Sequence, residues 1–151
     1  MDQLKKIRHR LAIDFPLYAK TALKIRTKVG QIAPLQLNAA QTILHNAVTD
    51  QIANEGKVRV IILKARQQGL STYTGGYLYW SVSQKAAQKA MVVTHHSDST
   101  RALFDMTKRY HENCPQILKP HTKYSSRRVM NFDVLDSSFV VSTAGGEAIG
   151  R

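Results

Sequence analysis

Two short apolar runs interrupt an otherwise mixed pattern: VRVIIL from position 58 and AMVVT from position 90. Both have the length and β-branched content of strands buried on two faces. Around them the pattern changes to helical spacing. Residues 39–53 predict a helix that Asn38 caps and Gly56 ends. Residues 71–84 predict a second. Residues 98–113, capped by Asp98 or Ser97, predict a third with Leu103, Phe104, Thr107 and Tyr110 facing inward. The second helix carries Gly75 and Gly76 in its interior, where each costs up to ~1 kcal/mol relative to alanine. Close packing of that helix on a sheet would account for the pair.

The flanking regions read differently. Residues 2–12 predict a short basic helix. Alternation in ALKIRTK, a turn at Val29-Gly30-Gln31 and then QIAPLQL predict a hairpin over 22–37. Pro115 and Pro120 bracket a loop, after which 128–132 and 138–142 predict strands joined by a turn at 133–137. Helix and strand alternate through the middle of the chain. The expected class is therefore α/β, a mainly parallel sheet flanked by helices. An N-terminal helix and hairpin (1–37) would precede it, with the α/β unit over 38–151.

The join between the first apolar run and the second helix carries candidate chemistry. The sequence KARQQGLST runs from Lys64 to Thr72. A strand, a short glycine-containing turn and a helix N-terminus together form the layout of a P-loop, in which backbone N–H groups face phosphate. Aligned on Gly69 and Ser71, the usual G-x-x-x-x-G-K-[ST] pattern has Lys64 at its first glycine and Leu70 at its lysine. The glycine and the magnesium-binding hydroxyl are kept, and a lysine stands at the front of the loop. An ammonium on a four-carbon stem acts on phosphate as a point charge, so its reach matters more than its origin.

Charge adds a partner class. Lys and Arg number 22 against 10 Asp and Glu, a formal net charge of +12 in 151 residues. Such a field favours a polyanion, nucleic acid first among them. The cations fall in three groups, at 5–10, 20–28 and 119–128. Cys114 is the single cysteine, which excludes an internal disulfide framework and fits a reducing compartment. The charged N-terminus lacks a leader's apolar stretch, and no apolar run approaches the roughly 20 residues that span a bilayer. The expectation is a soluble, intracellular protein.

Four segments, in order and spacing, resemble the N-terminal ATPase region of phage terminase large subunits, the motors that package viral DNA. They are LNAAQ (37–41), ILKARQQGLST (62–72), AMVVTHHSDSTRALF (90–104) and STAGGEAIGR (142–151). The resemblance covers the chain from about Phe15 onward, and its most specific part is the loop with its lysine moved forward. It implies an additional-strand, RecA-like P-loop fold that binds ATP and Mg2+. In those terms Lys64 contacts the phosphates and Ser71, followed by Thr72, ligates the magnesium. Gln67, Gln68, Gly69 and Leu70 offer backbone N–H groups, Arg66 acts as a finger on the γ-phosphate, and Gln41 reads the adenine edge. It also implies sequence-independent double-stranded DNA, a small terminase subunit and a portal as partners in the parent system, in a bacterial host's cytoplasm.

The acidic strand that such an ATPase needs has no good counterpart. FDVLD, ending at Asp136, and SFVVSTAGGE, ending at Glu147, are the nearest segments, and neither has the right form. A fragment that binds nucleotide without turnover is the leading expectation. A helicase-like P-loop ATPase is an alternative that Leu70 argues against. A non-enzymatic basic nucleic-acid-binding domain is another, separated from both by nucleotide binding.

Other residues read plainly. His95 and His96 leave a strand on opposite faces and predict no metal site. Cys114 reads as an unreactive thiol at a helix end. Trp80 with Tyr73, Tyr77 and Tyr79 reads as core or interface.

Overall fold

The computed structural model describes residues 2–126 and 128–145. Helix α1 (Asp2–Ile13) gives way to α2 (Phe15–Ala22) at Asp14. The Asp14 carboxylate accepts the Leu17 N–H at 2.9 Å, and Pro16 occupies the first turn, where a helix needs no donor. Sequence pattern assigned nothing to 13–21. The predicted hairpin is present but shorter, with β1 (Lys24–Arg26) antiparallel to β2 (Ile32–Pro34).

Helix α3 (Ala39–Glu55) begins and ends where expected. Asn38 and Gln41 form a reciprocal capping box, and Gly56 closes the helix at φ +68°. Then follow α4 (Leu70–Gln84), β3 (Lys89–Thr94) and α5 (Ser97–Glu112). The N-cap of α5 is His96, one residue before the predicted caps. The chain continues through β4 (Tyr124–Ser125), β5 (Val129–Phe132), a 3-10 turn (Asp133–Leu135) and β6 (Ser137–Thr143).

The four-stranded sheet has the order β3-β6-β5-β4. Only β3 and β6 run parallel; β5 pairs antiparallel with both β6 and β4. The sheet is thus mixed, not mainly parallel. The short turn at 133–135 returns the chain beside itself, which forces antiparallel pairing, whereas parallel neighbours need a long crossover.

The second correction concerns 58–63. This run forms no ladder and is exposed, with Ile61 and Leu63 fully so. Its described tether is Gln51, whose amide accepts the Arg59 N–H at 2.8 Å and donates to the Arg59 carbonyl at 3.3 Å. The edge of β3 away from β6 has no strand beside it either. A strand is buried by strands beside it, and among the described residues none pairs with 58–63.

One continuous core runs from Leu11 to Val141. Helix α4 lies at its centre. Tyr73, Tyr79 and Trp80 are buried, as their spacing predicted, and Phe15 packs against Tyr73, Tyr77 and Trp80. The Trp80 indole N–H donates to the Leu11 carbonyl at 2.9 Å, binding α1 to α4. The glycine pair is explained by helices and loops rather than by the sheet. A Cβ on Gly75 would stand 2.7 Å from Met106 Cε on α5, and one on Gly76 2.9 Å from Leu23 Cδ1.

These neighbours differ in freedom. Met106 is half-buried and flexible, whereas Leu23 and Leu35 beside Gly76 are buried completely. Gly75→Ala is therefore expected to be neutral or to stabilise by up to ~1 kcal/mol of helix propensity. Gly76→Ala is expected to destabilise by about 1–2 kcal/mol, since overpacking outweighs that gain. Urea denaturation of the two variants checks the contrast.

His111 offers a pH test. Its Nδ1 lies 3.1 Å from the Tyr79 hydroxyl and its Nε2 2.8 Å from Thr122 Oγ1. Burial, helped by Lys119 and opposed by Glu112, pushes its pKa down to about 4. Between the unfolded value near 6.5 and about 4, the unfolded chain binds a proton that the folded chain refuses. The stabilisation is complete above pH ~6.5 and lost as pH falls through that window. Melting temperature should fall over this range, and His111→Gln should flatten the fall.

Candidate functional site

The loop before α4 has the backbone of an anion-binding turn. Gln67 (φ +62°) and Gly69 (φ +72°) are both left-handed, the conformation from which backbone N–H concavities are built. Gly69 is also the N-cap of α4, and no side chain caps that end. The first-turn N–H groups and the positive end of the helix dipole therefore stand without an internal side-chain acceptor.

The loop is fixed from α3. Gln41 is 3% exposed. Its Oε1 accepts the Asn38 N–H at 2.9 Å, while its Nε2 donates to the Gly69 carbonyl at 2.7 Å. Asn38 Nδ2 adds a bond to the Gln68 carbonyl at 3.2 Å. Gly69 is required twice over, by its φ and because a Cβ would stand 2.8 Å from Gln41 Nε2. Gln41 is thus a clamp on the loop, and its expected contact with an adenine edge has the second Nε2 hydrogen and the second Oε1 lone pair left to use.

The other expected site residues separate into two sets. Lys64 and Ser71 line one cleft of about 270 Å³, together with Ile62, Thr74, Val92 and Thr94. Arg66, Gln68 and Ser71 are exposed, and Gln67 Oε1 accepts Lys28 Nζ at 3.5 Å. Leu70, by contrast, is 7% exposed and part of the core. The position where the usual pattern has its lysine is a packing position here. Thr72 is half-buried and its carbonyl accepts the Tyr110 hydroxyl at 3.2 Å.

Sequence reasoning missed Asn38 and Lys28 as loop contacts. The Asn-x-x-Gln capping box was the available signal for the first. His95 and His96 do not diverge: their rings lie 4.3 Å apart between centroids, because both follow the end of β3 and occupy a bend. Cys114 is buried, and burial raises its thiol pKa. Asp136 is exposed in a left-handed turn at the start of β6, and Glu147 lies outside the described residues.

The arrangement is a mixed α/β fold in which a left-handed turn leads into the uncapped start of α4. The crystal structure of the HK97 bacteriophage large terminase is similar over 93% of this chain, with a TM-score of 0.72 and 14% sequence identity. The chain spans 29% of the length of that protein. No family model and no curated protein matches the sequence. No helix among the described residues is long and apolar enough to cross a membrane.

The clamp can be separated from the cap. Gln41→Glu keeps an acceptor for the Asn38 N–H but cannot donate to the Gly69 carbonyl. It should preserve α3 while speeding amide hydrogen exchange across 67–71. Gln41→Ala loses both and should cost about 1–2 kcal/mol of stability.

Proposed function

We propose that this chain is the nucleotide-binding part of a DNA-packaging motor of the terminase type, a fragment that binds Mg-ATP without turning it over. The carrying observation is the left-handed Gln67–Gly69 loop at the uncapped start of α4, clamped by Gln41 and Asn38, with Lys64 and Ser71 on one cleft. The residues fit a triphosphate. Gly69 allows close backbone approach, the helix end favours anions, and Lys64 brings a charge from the front of the loop. Bound ATP would supply the phosphoanhydride, and Mg2+ the neutralisation of its charge.

In this reading Gln67, Gln68, Gly69 and Leu70 donate backbone N–H groups to phosphate oxygens. Ser71 holds the magnesium, with Thr72 beside it, and Arg66 neutralises the γ-phosphate. Gln41 fixes the loop, and its spare N–H turns to the base. The translocated substrate is duplex DNA without sequence preference, which fits the charge of +12. The small terminase subunit and portal belong to the complete motor.

Titration calorimetry should detect weak, magnesium-dependent ATP binding that Lys64→Ala reduces by at least about tenfold, or 1.4 kcal/mol. Leu70→Ala should instead cost about 2–5 kcal/mol of stability while folded protein still binds nucleotide. Turnover above about 1 s⁻¹, the low end for phosphoryl-transfer enzymes, would overturn the fragment reading. Equal ATP affinity in wild type and Lys64→Ala would overturn the loop assignment.

A further inference from the structure

The largest cavity described lies away from the P-loop. It is a groove of about 710 Å³ between one face of α5 and the connection from β4 to β5. Arg101, Lys108 and Arg128 supply three cations against the single carboxylate of Asp105. All three basic side chains are exposed, and Phe104, 4% exposed, is part of the floor. Arg101 and Lys108 are seven residues apart on one helix, about 10 Å along its axis, enough to reach separate phosphates of one strand. Arg128 faces them from the other wall. The hydroxyls of Ser97, Thr100 and Ser126 complete the polar lining.

We propose that this groove takes the phosphodiester backbone of duplex DNA. The proposal rests on the DNA-motor reading above and adds the contact surface. Two walls from different elements distinguish the groove from the diffuse positive field of the whole chain. Arginine on both walls suits forked contacts to phosphate oxygens. Lysine at 108 leans on Glu112 at 3.6 Å, a mostly exposed pair within one helix that an incoming phosphate can replace at little cost. Contacts from arginine, lysine and hydroxyl side chains to phosphate position DNA without selecting sequence.

The groove also shares a wall with the P-loop cleft. Thr94 lines the cleft and Thr100 the groove, with their hydroxyl oxygens 2.6 Å apart. Thr100 Oγ1 lies 2.7 Å from Thr143 Oγ1, joining α5 to the ends of both parallel strands.

The test is a salt titration of a random-sequence duplex by fluorescence anisotropy. The triple variant Arg101→Gln, Lys108→Gln, Arg128→Gln should bind about tenfold or more weakly at low salt, with the slope of log affinity against log salt reduced by about 2.7. A control with the same charge loss on α1 (Lys5→Gln, Arg8→Gln, Arg10→Gln) should change the slope by clearly less. Asp105→Asn should tighten binding. Circular dichroism confirms that each variant is folded. Equal losses in the groove and α1 triples, with ATP binding intact, would overturn the groove and leave the motor reading standing. No duplex binding by wild type even at low salt would overturn both. Pyrophosphate binding that only the groove triple loses, with its duplex slope unchanged, would make the groove a small-anion site and overturn the proposal.

Discussion

Helix α4 is gripped at distances that only glycine permits, and the candidate loop inherits its position from that grip. Gly75 admits the Met106 side chain from α5, and Gly76 admits Leu23 from the turn into β1. Either side chain would be displaced by a Cβ. The same helix buries Tyr73 and Trp80 against Phe15, so α2, α3 and α5 are all referenced to one axis. Leu70 enters the core in the first turn, and Tyr73, one turn further, reaches His45 on α3 through its hydroxyl at 3.1 Å. The loop therefore leaves a helix start that cannot rotate. Gln41 and Asn38, at the N-terminus of α3, then hold the other side of it. A loop fixed from two helices is preorganised, so a ligand bound there would not also have to supply its ordering entropy.

Much of this was legible from local signals. Asn38, Gln41 and Gly56 encode the ends of α3 through side-chain chemistry that acts within four residues. The αL requirement at Gly69 and the helical aromatics at 73, 77, 79 and 80 are equally local. Helix α2 was not legible. Its eight residues, FPLYAKTA, are too few to show a helical period, and the alternating ALKIRTK that follows suggested strand from position 22. The parallel expectation failed for a different reason. Alternating helices and strands set the crossover through α5, whereas the short turn predicted at 133–137 was itself the signal that β5 and β6 pair antiparallel, and the mainly parallel expectation passed over it. Clamping by Gln41 was out of reach because its partner, the Gly69 carbonyl, is 28 residues away.

The run at 58–63 shows what hydrophobic pattern measures. VRVIIL reports that a segment is suited to burial on both faces, and says nothing of whether neighbours exist to bury it. In this chain Ile61 and Leu63 remain fully exposed, while Met91 and Val93 on β3 are about half exposed. Ile62 on one side and Val92 to Thr94 on the other bound the cleft that also holds Lys64 and Ser71. An exposed apolar run beside an open strand edge favours association with another strand. The run at 58–63 and the open edge of β3 are thus the least buried apolar parts of the described fold.

Sheet direction also decides which carboxylates can serve the loop. Strands β3 and β6 run parallel, pairing Lys89 with Ser138 at one end and Thr94 with Thr143 at the other. The cleft of Lys64 and Ser71 lies against Val92, Val93 and Thr94, at the second end. Asp136 precedes β6 and so stands at the first end, roughly 20 Å away at about 3.3 Å per residue. No carboxylate lines that cleft among the described residues. In the proposed reading, the loop, the lysine and the hydroxyl would bind a triphosphate by complementing its charge. Hydrolysis requires charge and proton acceptance to be arranged for the transition state, and that needs a carboxylate at the same end of the sheet as the loop.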